Sequence, residues 1–305
     1  MQTVNHDAKL ARVNLCHSPA AITEKKKEGK EEKVLEGELQ KLQQLNLMIL
    51  DEVDRICQKH EIPYSIVFGT MLGAIRHKGI IPWDDDIDIG LTRENFEKLL
   101  AVCEKELDPS QYYLQTEEKD EKYVSYFAKV QLVGTTVIQE DSYNVEMKKG
   151  IFIDIFPYDH LCENKILRKI RYRKYWIWRA LLRIRCGYGK EEKKTSGLYR
   201  IGKFFSGFFS ISFMKKMKKK ETIKYNRNKT RFVGVISTPS KHIDKRAIPL
   251  EWFEDLVDYP FEGRTYTGFA NYDEYLKKIY GDYMTLPPME ERNHHRRMKV
   301  DFGAY

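Results

Sequence analysis

The stretch "VFGTMLGAIRHKGIIPWDDDIDIG", residues 67–90, puts four aspartates, Asp84, Asp85, Asp86 and Asp88, next to one another and beside isoleucines. Like charges ~4 Å apart at an effective dielectric of about 20 repel by roughly 4 kcal/mol, so the cluster either lies in water or surrounds a cation. Ile87 and Ile89 alternate with Asp86 and Asp88. A strand through "DDIDIGL" therefore turns both carboxylates to one face and buries the other. A solvated acidic turn has no need of that alternation. A calcium loop of the EF-hand kind is excluded, because its sixth and twelfth places hold Ile89 and Asn95 instead of Gly and Glu.

Working outward, "YSIVF" (64–68) is apolar and β-branched and reads as a buried strand. Gly69 and Thr70 open a short helix through His77, and Gly79 and Pro82 break the chain into a loop. Glycine after a buried strand allows close backbone approach, and a helix N-terminus offers N–H groups to phosphate. The turn is not a P-loop, since no G-x-x-x-x-G-K-[ST] is present. Upstream, apolar residues at three-to-four spacing predict a helix over 34–60. Downstream, Thr92 caps a helix over 93–107, and strands are expected at 123–132, 135–139 and 151–156. The fold class expected is α/β (α+β), a mixed β-sheet core flanked by helices.

In "GIFIDIFPYD", Asp154 sits between Ile153 and Ile155. A lone acid in an apolar strand is costly to bury unless it is paired or bound to metal. A salt-bridged core aspartate is the plain reading. The sharper one makes Asp154 the third carboxylate, with Asp86 and Asp88, around one or two divalent ions. Mg²⁺ suits oxygen ligands, with Mn²⁺ as the alternative, and two-metal sites clamp the attacking and leaving oxygens of phosphoryl transfer.

Composition bounds the rest. The 305 residues suffice for a sizeable core. A net charge of +8 and pI near 9.0 favour anionic partners. Five scattered cysteines without a C-x-x-C pair fit a reducing compartment. With no apolar signal segment and no run of 18 or more apolar residues, a cytoplasmic protein is expected. Four regions are anticipated: a flexible arm over 1–33, a catalytic core over 34–160, a basic aromatic helical segment over 161–235, and a C-terminal helical part over 236–305 that completes the catalytic domain. The basic stretch 165–185 bears Trp176 and Trp178 and holds no acid, and lysines recur over 215–231. Such a helix suits the surface of an anionic membrane; an internal helix with solvated arginines is the alternative.

A strand, Gly-Thr and helix, then Asp-x-Asp, then an acid on a later strand resembles the nucleotidyltransferase superfamily. More closely, "GTMLGAIRHKGIIPWDDDIDIG", "GIFIDIFPYD" and "YDEYLKKIYGDYM" resemble blocks of the LicD family, over roughly 40–160 and 270–295. The resemblance implies transfer of phosphocholine from CDP-choline to a sugar hydroxyl of a cell-surface glycan of the teichoic acid or lipopolysaccharide type. The similar fukutin-related proteins imply transfer of another alcohol phosphate, ribitol or glycerol phosphate, from its CDP donor as the alternative. It further implies that Asp86 and Asp88 form the metal pair, Asp154 the third acid, and Gly69 and Thr70 the phosphate turn.

Arg76, His77 and Lys78 precede the acids and are candidates for phosphate contact, as is Lys129 in "YFAKVQL". A quaternary ammonium binds aromatic faces. Trp83 is the candidate for that role, with Tyr123, Tyr126, Tyr143 and Tyr158 in reserve. Two rival functions remain. Nucleotidyl transfer would release pyrophosphate from an NTP, and nucleic-acid binding is disfavoured because the acids repel phosphates and no binding motif is present. The expected partners are a CDP-alcohol and a lipid-linked glycan at the inner membrane face, and no nucleic acid.

Overall fold

Two parallel strands with apolar flanks, β2 (Asp88–Thr92) and β6 (Phe152–His160), form the centre of the sheet. Both are buried almost throughout, as parallel strands covered on two faces must be. The structure, a computed structural model, describes residues 19–190, 194–236, 246–292 and 297–305, with side chains from residue 37 onward. Residues 42–305 form one unit, and a second runs up to Lys41, of which the helical stretch from Pro19 is described.

The elements before β2 are α1 (Pro19–Lys59), β1 (Ser65–Ile66) and α2 (Phe68–Arg76). Between β2 and β6 lie α3 (Arg93–Glu106), β3 (Tyr112–Gln115), β4 (Ala128–Leu132) and β5 (Thr136–Gln139). Three helices follow: α4 (Lys165–Arg185), α5 (Gly197–Ser206) and α6 (Ile211–Ile223). The chain ends with β7 (Phe232–Gly234), β8 (Ile248–Pro249), β9 (Leu256–Phe261), β10 (Arg264–Phe269), α7 (Tyr272–Tyr280) and β11 (Arg297–Asp301). Among the described residues the main sheet runs β3-β4-β6-β2-β1-β10-β9, with β7 joined to β6 and β8 to β7; β11 pairs with β5 apart from it. This is the mixed sheet flanked by helices that the sequence predicts.

Sequence explains most of the junctions. Asn95 N–H donates to Thr92 Oγ1 at 3.4 Å, capping α3. Pro157 sits inside β6 without losing a ladder bond, because β4 ends opposite Ile155 and β7 begins opposite Asp159. From Leu42 onward α1 buries Leu42, Ile49, Leu50, Val53 and Ile56.

The structure differs from expectation at several junctions: β1 covers only Ser65–Ile66, β2 starts at Asp88 and leaves Asp86 ahead of it, and β7 and β8 are additional strands. The strand expected at 123–132 begins only at Ala128, since Tyr123 and Val124 are buried in irregular chain. β3 was not foreseen; its first two residues are only half-buried, which blurs the alternation. The C-terminal part, expected helical, contributes a hairpin. Glu262 and Gly263 take φ of +51° and +74°, a two-residue turn joining β9 to β10. Pro260 lies on β9, the edge strand, where proline is tolerated. Of the arm expected at 1–33, residues 1–18 lie outside the described residues, and α1 starts at Pro19.

Candidate active site

Register brings the acids together. β2 and β6 run parallel with Asp88 opposite Asp154, and β4 on the other flank places Lys129 opposite Asp154. Cross-strand partners share a face, so Asp88, Asp154 and Lys129 form one row across the sheet. Lys129 Nζ lies 2.6 Å from Asp154 Oδ1 and 3.1 Å from the centre of the Phe152 ring. The Asp88 N–H donates to Thr70 Oγ1 at 2.8 Å. Burial, followed by the charges of Asp86, Asp154 and Asp84, pushes the Asp88 carboxyl well above its ordinary range, and Lys129 offsets part of the rise.

Asp84, Asp85 and Asp86 lie just ahead of β2, in extended chain whose ladder is continued by Asp154 N–H donating to Ile87 O at 2.9 Å. Each of the three offers a carboxylate oxygen within 4.8 Å of the others. Two side chains of α1 pin this loop: Gln43 donates to Asp84 O at 2.8 Å and Asn46 to Asp85 O at 2.9 Å. Asp85 is also paired with Arg297 at 2.9 Å. Asp84 and Asp86 line a cavity with Asp88 and Asp154. Asp84, Asp85 and Asp86 thus form a group of carboxylates that could hold a metal ion.

The turn after β1 faces these acids. A Cβ added at Gly69 would stand 2.6 Å from Asp84 Oδ2, so the carboxylate approaches this backbone as only glycine allows. Phe68, the residue before it, has φ of +50°, a conformation that costs an ordinary residue about 1–3 kcal/mol. Its N–H donates to Tyr275 Oη at 3.0 Å, and that oxygen lies 3.3 Å from Tyr158 Oη. The strained turn is thus held from behind by α7.

The cavity measures about 960 Å³, within the range of small-molecule sites. Gly69, Arg76, Trp83 and the acids line it, together with Arg246, Phe68, Phe127, Phe156 and Tyr280. Arg76 Nη1 donates to Tyr283 O at 2.7 Å. The Arg246 guanidinium stands 4.8 Å over the Phe68 ring. Trp83 has its face under the Arg292 guanidinium, 4.4 Å away, and meets His77 edge-on at 5.9 Å.

Of the residues singled out by sequence, the structure gathers Gly69, Arg76, Trp83, Asp86, Asp88 and Asp154 around one cavity. Thr70 is buried behind it on the Asp88 backbone, and Lys129 is bound to Asp154. Tyr123, Tyr126 and Tyr158 are buried and Tyr143 is exposed; the aromatic lining comes from other rings. Sequence reasoning passed over Asp84, Tyr275, Tyr280 and Arg246. Asp84 was visible in the aspartate run, and the tyrosines in "YDEYLKKIY". Arg246 is one of 53 basic residues with no local signal.

Comparisons with known proteins bear on the family of the chain. Residues 61–180 match the family model described as LicD/FKTN/FKRP, nucleotidyltransferase domain. The chain is similar to the lipopolysaccharide cholinephosphotransferase LicD of Haemophilus influenzae, 31% identical over 261 residues, which covers 84% of this chain and 95% of that protein. Shorter likenesses join it to uncharacterized proteins of Rickettsia typhi (44% over 55 residues) and Rickettsia prowazekii (47% over 47 residues). They cover 17% and 15% of this chain, and 18% of each of those proteins.

Proposed function

The chain belongs to the LicD family, and from that premise we infer that it is a phosphotransferase moving phosphocholine onto a sugar hydroxyl of a cell-surface glycan. The donor proposed is CDP-choline, and the acceptor a lipid-borne glycan precursor met at an anionic membrane from the cytoplasmic side. The observation that carries the reading is the register of Asp88 with Asp154 at a cavity that also holds Asp84 and Asp86.

In the reaction, the acceptor hydroxyl oxygen attacks the phosphorus that bears choline. The bond from that phosphorus to the oxygen of the CMP phosphate breaks in line, and CMP leaves with the electron pair. Asp154, steadied by Lys129 at 2.6 Å, takes the hydroxyl proton. Arg76 and Arg246 face the diphosphate across the cavity and hold its charge. Gly69 lets the Asp84 carboxylate lie against the start of α2 at the cavity wall, and Thr70 positions Asp88 through its N–H. The Trp83 ring, now under the Arg292 guanidinium, would offer its face to the trimethylammonium once that guanidinium moves aside. A divalent cation held by Asp86 and Asp88, with Asp84 beside them, would supply neutralisation of the diphosphate and of the departing CMP.

The test offers CDP-choline and CDP-ribitol in turn, with Mg²⁺ and a glycan acceptor, to the wild type and to Asp88→Ala. CMP is expected from CDP-choline, with turnover cut about 10³-fold in the variant, the scale of losing a charge-stabilising group. CMP from CDP-ribitol alone would assign a different alcohol. Pyrophosphate release from an NTP would assign nucleotidyl transfer.

A further inference from the structure

α5 is amphipathic with the wrong side out. Its small face packs on the protein: a Cβ at Gly202 would stand 2.6 Å from Ile184 Cδ1 of α4, and Ser206 is buried. The opposite face carries Leu198, Ile201, Phe204 and Phe205, and Phe208 follows just past the helix end; all five are between 52% and 85% exposed. The three-to-four spacing of the first four places them along one stripe of the helix. Phe204 meets Phe205 at 5.6 Å and Phe208 at 5.1 Å, so these rings cluster with each other outside the core. The next residue turns inward: Phe209 stacks on Phe213 at 5.5 Å and meets Trp178 at 5.4 Å.

α4 extends the same surface. Ile166, Ile170 and Ile177 are exposed and fall on the row that reaches Ile184, where α5 docks. Arg173 falls on the same row between Ile170 and Ile177, and Lys169, Lys174 and Lys203 lie exposed around the surface. No acidic residue occurs from Lys165 to Lys190 or from Lys193 to Lys220. Not every arginine of α4 contributes. Arg168 and Arg171 are buried, and Arg171 and Arg183 are paired with Glu221 and Asp141.

A contiguous exposed apolar face of this kind marks an interaction site. Apolar rings rimmed by basic residues match the boundary between headgroups and acyl chains of an anionic bilayer. A second copy of the chain would set the same positive rim against itself, which charge complementarity disfavours. We propose that the outward face of α5, continued by the isoleucine stripe of α4, inserts into an anionic membrane and holds the enzyme beside its lipid-borne acceptor. The proposal deepens the transferase reading and rests on it only for the acceptor.

Its test needs no turnover, so failure of one reading is distinguishable from failure of the other. The full chain is sedimented with vesicles of phosphatidylcholine containing phosphatidylglycerol, and with phosphatidylcholine vesicles alone. The wild type is expected to pellet with the anionic vesicles, less so as salt rises. The double variant Phe204→Ser/Phe205→Ser loses on the order of tenfold or more in partitioning while its melting temperature is unchanged, since both rings lie outside the core. Lys174→Glu/Lys203→Glu weakens binding and flattens its salt dependence. Wild type that ignores anionic vesicles at low salt, or a double phenylalanine variant that binds as the wild type does, overturns the proposal. So does a wild-type dimer that the phenylalanine substitutions convert to monomer without any vesicle binding.

Discussion

β6 carries a buried acid near each end, and the two live in opposite surroundings. At the far end, Asp159 is 1% exposed and fully accommodated: Arg93 donates from Nε and Nη2 to its two oxygens at 2.8 Å each, and Asn226 donates at 2.6 Å. At the near end, Asp154 is paired with one lysine and faces Asp88 across the ladder, with Asp84 and Asp86 along the same cavity. Asp159 meets donors in these contacts, whereas Asp154 has a second carboxylate opposite it and two more along the cavity. One aspartate ties α3 to the sheet, whereas the other stands in the acid-lined cavity where the proposed cation would be held. The same residue type on one strand thus separates into anchor and chemistry by its partners alone.

The comparison is broken most directly at its two ends. Asp88→Asn is expected to lower phosphocholine transfer about 10³-fold while leaving the melting temperature equal or higher, because it removes a surplus charge. CMP release alongside a thermal melt checks both halves. Asp159→Ala should do the reverse, destabilising the fold by about 3–5 kcal/mol because Arg93 is left buried without its partner. Denaturant unfolding measures it, and activity per folded molecule should hold.

Smaller effects sharpen the contrast. A divalent ion at 100 times its dissociation constant stabilises a protein by about 2.7 kcal/mol. Thermal shift should register that gain in wild type and Asp159→Asn and not in Asp88→Asn. Trp83→Ala should raise KM for the choline donor by about tenfold, the scale of one cation–π contact, and leave the ion-dependent shift in place.

A pH series in chelator gives the smallest effect. The folded Asp88 carboxyl sits above the ordinary 3.8, so the folded chain retains a proton that the unfolded chain releases. Its contribution to stability therefore falls as pH rises from about 3.8. The melting advantage of Asp88→Asn over wild type should widen over that rise; a margin that stays flat removes the charge-surplus argument.

Much of this site was legible in the sequence because it depends on short-range pattern. The alternation of Asp86 and Asp88 with Ile87 and Ile89, and the lone Asp154 amid "IFIDIF", state which carboxylates leave the core. Their meeting depends on parallel pairing of β2 and β6, which a chain of apolar strands on both sides makes natural. Three features needed the structure. Arg246 reaches the cavity from 158 positions beyond Asp88, and no local pattern marks it. The β9–β10 hairpin has a solvated edge strand, and its Glu-Gly turn is a weaker signal than Asn-Gly. The periodicity of α5 defines an apolar face but not whether that face turns inward, and only the contact of Gly202 with Ile184 decides it.

The most direct measurement sets the two ends of β6 side by side: choline-phosphate transfer per folded molecule in Asp154→Asn and in Asp159→Asn. The account predicts a collapse of about two to three orders of magnitude for Asp154→Asn with the fold intact, and near-normal turnover for whatever Asp159→Asn remains folded. Full activity in Asp154→Asn would contradict it.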